Sequence, residues 1–171
     1  LLGNNPKLTQ RSLAHLVKMK ELEHLELGSI PENKKAYLHG VLNNPKFTSL
    51  KLSNMECATD EIAAMSNYRI ETLTLNNCKI PNAYILPGTR TPFKRIILEN
   101  GVSIGNGYFL RLGEEVHFSG FIPRYSEDYT VYINSNRIIF DHEWQRTQFI
   151  QALKKIYSSD IDEKRIIIRA Q

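Results

Sequence analysis

The sequence predicts an α/β solenoid in which short parallel strands stack side by side and helices join the first of them. A pattern of the form apolar-x-x-apolar-x-apolar returns at steps of 20 to 28 residues along the 171-residue chain. Helical signals fill the first intervals between these copies. One short strand with one apolar face cannot bury that face alone, whereas parallel neighbours merge their apolar rows into one core.

Five copies of the pattern define the strands, and two weaker copies extend the series. In each copy the two alternating apolar residues share one face of a strand, and the residues between them lie on the other face. These pairs are Leu25 and Leu27, Leu50 and Leu52, Leu73 and Leu75, Ile96 and Leu98, Val116 and Phe118, then Ile138 and Phe140, and Ile166 and Ile168.

Helices are predicted in three early intervals and near the end of the chain. Thr9 can cap a helix that runs to Lys18, and apolar residues at helical spacing mark 35–42 and 61–65. The last helix spans about 142–157, with Asp141 as its expected N-cap. Strands that alternate with helices imply right-handed crossovers and a parallel sheet. Between 81 and 106, Pro-Gly and Asn-Gly pairs predict loops or single helical turns instead.

The segment 130–140 allows two interpretations. Thr130–Ile133 and Arg137–Phe140 flank a polar turn and can form a β-hairpin. Alternatively, Arg137–Phe140 is the sixth strand of the series. With the hairpin, residues 121–171 form a specialised C-terminal cap on the stack.

Composition limits the classes of function. The length and 42% hydrophobic content fit one domain over 1–171, of about five to seven units. The 22 basic residues exceed the 18 acidic ones by four, but the excess is spread over all three thirds of the chain, so composition does not favour nucleic acid. No apolar run has the length of a membrane span, and no secretory signal is recognisable. The sequence has no Asn-x-Ser/Thr glycosylation site, which favours an intracellular location. Because the chain starts with Leu1 rather than Met, we expect a fragment of a longer protein.

No catalytic, metal or cofactor signature stands out. Two cysteines, Cys57 and Cys78, cannot build a four-thiolate zinc site and are expected to be buried structural thiols. The glycines of 101–107 lack the residues that end a phosphate-binding loop. Asp141, His142 and Glu143 form the one cluster of the sequence in which a histidine has an acid on each side, and an enzyme at this point is the third and weakest option.

Three segments, Leu22–Ile30, Phe47–Cys57 and Ile70–Ile80, resemble leucine-rich repeats, whose consensus is Leu-x-x-Leu-x-Leu-x-x-Asn/Cys. Cys78 at the last consensus position is similar to the ribonuclease-inhibitor-like and cysteine-containing subclasses, which are common in F-box proteins. Ile30 and Met55 depart from that position. The resemblance implies a right-handed solenoid with its sheet on the concave face. It also implies a non-catalytic protein-binding adaptor, for example the substrate receptor of a ubiquitin ligase, without cofactor or small-molecule substrate.

The outward residues of the later strands are the candidate partner-binding site. The early strands present small polar residues, whereas the later ones combine aliphatic residues with arginines, which suit protein interfaces. The predicted site residues are Arg95, Ile97, Glu99, His117, Arg137, Ile139, Arg165, Ile167 and Arg169 on the concave face, with Arg124 and Tyr125 in an edge loop.

Two alternatives to this protein-binding site remain open. Ile97, Ile139 and Ile167 can instead be covered by the chain itself, and the loop aromatics can pack down as a cap. The second is an RNA-binding repeat domain, which would use Arg95, Arg137, Arg165 and Arg169 together with Tyr125 or Tyr132.

Overall fold

A seven-stranded, fully parallel sheet dominates the structure. The structure is a computed structural model, and it describes residues 10–28, 38–58, 61–62, 65, 67–80, 93–104, 113–120, 136–156 and 161–169. Its strands follow one another across the sheet in chain order. They are β1 (His24–Leu27), β2 (Ser49–Ser53), β3 (Thr72–Asn76), β5 (Phe93–Glu99), β7 (Gly113–Ser119), β8 (Arg137–Phe140) and β9 (Ile166–Ile168). A separate two-stranded parallel sheet consists of β4 (Lys79–Ile80) and β6 (Ser103–Ile104). The predicted α/β class and parallel sheet are confirmed.

The strand register is the one that the repeat spacing predicts. Leu25 is paired with Leu50, Leu50 with Leu73, and Leu73 with Ile96. The same row continues through Val116, Ile138 and Ile166. A slip of one residue anywhere would turn a whole strand's apolar residues to the wrong face, so burial of this row fixes the register.

One continuous hydrophobic core lies on one face of the sheet. The inward leucines of β2 and β3 are at most 1% exposed, and the inward residues of β7 and β8 are buried equally well. Phe118, Phe140 and Phe149 pack together in the C-terminal half, with ring centroids 5.1 to 6.2 Å apart. Removal of this apolar surface from water, worth about 25 cal/mol per Å², is the main source of stability.

The predicted helices are present in the described parts of their ranges. Helix α1 is Gln10–Val17, α2 is Leu38–Leu42 and α3 is Glu143–Ile156. Residues 61, 62 and 65 are also helical. Helices α1 and α2 pack together at Gly40, where an added Cβ would lie 3.0 Å from Val17 Cγ2. The apolar stripe of α3, which includes Ile150 and Leu153, is buried against the sheet as expected.

The prediction that Asp141 caps α3 is wrong. The helix starts at Glu143, and the backbone N–H of His142 donates to Gln145 Oε1 at 3.0 Å, while the Gln145 N–H donates back to the His142 carbonyl at 3.1 Å. The Gln145 side chain thus accepts from the N–H that precedes the helix, as the third residue of a capping box does, while the Gln145 N–H is bonded to a backbone carbonyl and not to a capping side chain. The carboxylate of Asp141 is directed to the previous strand instead.

Segment Arg137–Phe140 is a strand of the main sheet and not half of a hairpin. It has a parallel neighbour on each side, β7 and β9, so both of its hydrogen-bonding edges are occupied. The proposed hairpin partner, 130–133, lies outside the described residues. A further difference from the sequence prediction is β6, a two-residue strand where only a turn was expected.

A left-handed residue follows three successive strands. Asn54, Asn77 and Asn100 have φ values of 55°, 49° and 53°, a region in which asparagine is far better tolerated than most side chains. Asn77 Nδ2 donates to Asn54 Oδ1 at 2.8 Å, and Asn100 Nδ2 donates to Asn76 Oδ1 at the same distance. The asparagines therefore link neighbouring units where the chain leaves the sheet.

Candidate binding site on the open face of the sheet

The face of the sheet opposite the core carries one aligned row of side chains, and we call it the open face. Strand alternation places these residues between the buried ones, and the register brings them side by side. The row consists of Glu26, Lys51, Thr74, Ile97, His117, Ile139 and Ile167. Its character changes from polar to aliphatic at β5, as the sequence predicts.

A depression of about 510 Å³ lies on the open face over β5, β7, β8 and β9. We call it the sheet depression. It is lined by Arg95, Ile97, Glu99, Glu115, His117, Ser119, Arg137, Ile139, Ile167, Ile168 and Arg169. Eight of the nine residues predicted for the concave face are thus brought together around one hollow.

The floor of the sheet depression is aliphatic. Ile97, Ile139 and Ile167 are half-buried by their neighbours in the sheet and still line the hollow, so the described chain does not cover them completely. His117 lies between Ile97 and Ile139 in the register and is buried. The floor therefore offers an apolar contact area interrupted by one imidazole.

Two arginines and a glutamate form the rim at the N-terminal ends of the strands. Arg95 donates from Nε and Nη2 to Glu115 Oε2, both at 3.0 Å, and Arg137 Nη1 donates to Glu115 Oε1 at 3.0 Å. The two arginine side chains are 50% and 55% exposed, whereas Glu115 is only 19% exposed. One carboxylate thus holds two guanidinium groups from the neighbouring strands in place.

Glu99 and Arg169 line the opposite rim of the sheet depression, and Glu99 is paired with Lys51, which lies outside the depression on β2. Lys51 Nζ donates to Glu99 Oε2 at 2.8 Å, across the intervening strand β3. This hydrogen bond raises the pKa of Lys51 against the opposing effect of burial. Arg169 is exposed, and among the described residues its guanidinium has no hydrogen-bond or ion-pair partner.

His117, the one imidazole of the floor, is in contact with the carboxylate of Asp141. The ring Nε2 lies 2.8 Å from Asp141 Oδ1, and the Gly120 N–H donates to Asp141 Oδ2 at 3.0 Å. Burial raises the pKa of Asp141, but hydrogen bonds from His117, Ser119 and Gly120 outweigh burial and hold that pKa below its usual value. The carboxylate of Asp141 is therefore paired with the imidazole of His117, 24 residues away in the sequence, and not with that of the adjacent, exposed His142.

The cysteines form a second cluster, away from the sheet depression. Both are buried, as predicted for structural thiols, and the Cys78 thiol donates to the Leu52 carbonyl at 3.4 Å. A hydrogen bond with the Cys57 thiol lowers the pKa of Cys78 to about 7. Their 21-residue separation gave no sign of this contact, although it is close to one repeat step. Among the described residues, no group of three or more His, Cys, Asp or Glu residues could hold a metal ion.

Three residues of the predicted site are not among those that line the sheet depression. Arg165 belongs to a 3₁₀ turn, Glu163–Arg165, and its Nε lies 3.8 Å from Asp162 Oδ2. Arg124 and Tyr125 lie outside the described residues, as does Tyr132 of the RNA alternative.

Sequence reasoning missed Glu115, Ser119 and Ile168 as site residues. Glu115 and Ser119 occupy outward positions in the same repeat pattern, so the alternation was the signal for them. Ile168 was predicted to point inward, but it is 38% exposed because β9 is the edge strand of the described sheet.

Comparison with known proteins gave no match: no family model, no curated protein and no solved structure is significantly similar to this chain. Within the described part of the chain, no helix is both long enough and apolar enough to cross a bilayer.

Proposed function

We propose that this chain is a non-catalytic protein–protein interaction module whose partner binds in the sheet depression. The observation that carries the proposal is the convergence of eight predicted outward residues around one hollow with an aliphatic floor and arginine-bearing rims. Such a combination of apolar centre and polar rim is typical of protein interfaces, in which arginine is enriched.

Pre-organisation is the proposed mechanism of binding. Each floor residue lies on a strand whose register is fixed by the buried row behind it. Glu115 holds Arg95 and Arg137, so these long side chains lose less freedom when a partner arrives. A surface that is already ordered binds more tightly than one that must be ordered during association.

The setting of the module is proposed from the repeat pattern. We infer a right-handed leucine-rich-repeat solenoid with the sheet on its concave face, and an intracellular adaptor or substrate receptor similar to those of F-box ubiquitin ligases. The seven parallel strands in chain order and the buried thiol at Cys78 support this interpretation. The lowered pKa of Asp141 and its bond to His117 are explained by structural pairing and require no reaction.

The RNA-binding alternative is less well supported by the charges. Glu115 accepts from both Arg95 and Arg137, which reduces the positive potential that phosphates would meet at this rim. Arg165 lies beside Asp162. Only Arg169, among the four arginines of that alternative, has no acidic partner within the described part of the chain.

The test is affinity capture with a floor variant and a matched control. Ile139→Asp places a carboxylate in the floor, whereas Ser49→Asp makes a comparable change on the same face at β2, outside the sheet depression. Proteins captured by the wild type and by Ser49→Asp are expected to be missing with Ile139→Asp, while cooperative thermal unfolding shows that each variant is folded. If Ile139→Asp retains the same proteins, the proposed site is wrong. Loss of capture after ribonuclease, with a steep fall of affinity in salt, would favour the RNA alternative.

A further inference from the structure

The arrangement of charges in the sheet depression indicates which kind of protein segment fits there. Glu115 and Glu99 each have a cation of their own, Arg95 and Lys51. Arg137 shares Glu115 with Arg95, so two guanidinium groups face one carboxylate, and the Arg137 side chain is 55% exposed. An exposed guanidinium can bind a further carboxylate through two parallel hydrogen bonds.

The arginine that has no acidic partner within the described part of the chain lies at the other rim. Arg169 follows Ile167 by two residues on β9 and its extension, where the Arg169 N–H donates to the Phe140 carbonyl at 2.8 Å. Arg137 and Arg169 therefore stand at opposite ends of the aliphatic floor formed by Ile139 and Ile167.

The spacing of these groups matches an extended peptide. Residues two apart on a strand share a face and lie about 7 Å from each other, since each residue rises about 3.3 Å. Arg137 and Ile139 are such a pair on β8. Arg169 comes two residues after Ile167 and one after the end of β9, where its N–H is still bonded to β8, and both residues line the sheet depression. An extended ligand that lies along the strands presents its residues i, i+2 and i+4 to the sheet at the same intervals.

We propose that the sheet depression binds an extended acidic segment of a partner protein, with the pattern acidic-x-apolar-x-acidic. The apolar side chain packs on Ile139 and Ile167, and the two carboxylates bind Arg137 and Arg169. The pattern is the same in both chain directions, so the segment fits parallel or antiparallel to the strands. This inference rests on the proposed function and specifies the chemistry of its partner.

The experiment is selection of a phage-displayed random dodecapeptide library on the purified chain. The wild type and the control Arg69→Glu, an exposed arginine outside the sheet depression, are expected to enrich acidic-x-apolar-x-acidic sequences. Arg137→Glu is expected to enrich peptides in which one acidic position has become Lys or Arg. A peptide selected on the wild type should bind Arg137→Gln about 10- to 100-fold more weakly, the range expected for lost hydrogen bonds to a charged group.

The possible results separate this inference from the proposed function. If enriched peptides carry no acidic preference, or if Arg137→Glu selects the same peptides as the wild type, the acidic segment is refuted. In that case the proposed protein-binding function is still supported if the selected peptides bind Ile139→Asp more weakly than they bind the wild type. If nothing is enriched, or if the peptides bind Ile139→Asp as well as the wild type, both proposals fail. Thermal unfolding of each variant establishes that it is folded.

Discussion

Replacement of Phe118 by alanine tests how the C-terminal half of the molecule is held together. The ring of Phe118 is fully buried on β7, its centroid lies 5.3 Å from that of Phe140 on β8, and it lies 6.2 Å from that of Phe149 on α3. The substitution therefore removes one wall of the contact between two strands and the last helix.

The expected loss follows from burial and from the two ring contacts. Truncation of a fully buried phenylalanine to alanine costs about 3–5 kcal/mol through lost transfer free energy and the cavity that remains. Phe118→Leu keeps most of the volume but loses both aromatic contacts, each worth about 0.5–1.5 kcal/mol, so about 1–3 kcal/mol is expected. With a urea m-value of about 2 kcal/mol/M, the midpoints should shift by about 2 M for Phe118→Ala and about 1 M for Phe118→Leu.

Urea unfolding followed by circular dichroism and by tryptophan fluorescence measures both shifts. Trp144, the one tryptophan of the sequence, lies on α3 and reports on the helix that Phe149 anchors. The two signals should give the same midpoint in each variant. A shift below about 0.5 M for Phe118→Ala, at an unchanged m-value, would contradict the packing described here.

Three further predictions concern the turns and the ion pairs. Asn77→Ala should lower the free energy of unfolding by about 1–2 kcal/mol because the φ of Asn77 is positive, whereas Asn77→Gly should lower it clearly less. If urea unfolding gives the same loss of free energy for both variants, the left-handed conformation is contradicted. Because the pKa of Asp141 is lowered in the folded state, its stabilisation is complete above the unfolded pKa of about 3.9 and is lost as the pH falls through the folded pKa. The wild type should therefore be more stable than Asp141→Asn at neutral pH, with the difference shrinking in acid; a difference that is constant down to pH 2 would refute this. Lys51→Met should lower the free energy of unfolding by less than about 1 kcal/mol, because the ion pair with Glu99 is partly exposed. The loss should be smaller still in high salt, which screens the pair. A loss above about 2 kcal/mol would contradict this prediction.

The rows of the sheet could be predicted because two periodicities agree. Alternation within each copy selects the buried face, and the repeat step aligns one copy with the next, so Leu50 had to meet Leu73 and Ile97 had to meet His117. Residues at outward positions of the same rows therefore came together as expected. Neither periodicity depends on the details of side-chain conformation.

The side-chain partners could not be predicted, because they depend on competition between local and cross-strand contacts. Asp141 was assigned to the helix that follows it, yet its carboxylate bonds to His117, 24 residues earlier, and to the Gly120 N–H. Gln145 then takes over the helix terminus. The sharing of Glu115 by two arginines is of the same kind, since it requires the rotamers of three strands at once.

The chain-order arrangement of the strands has a thermodynamic consequence for binding. Each interior strand touches only its two neighbours in the sheet, so opening can begin at an edge and advance one strand at a time. The sheet depression extends to the edge strand β9, and loss of that strand would remove Ile167 and Arg169 while leaving β1 to β3 intact. A ligand that binds only when β9 is paired with β8 must stabilise that edge of the sheet by mass action. Amide hydrogen exchange should therefore slow most at β9 when the site is filled, which makes the edge of the sheet a direct reporter of occupancy.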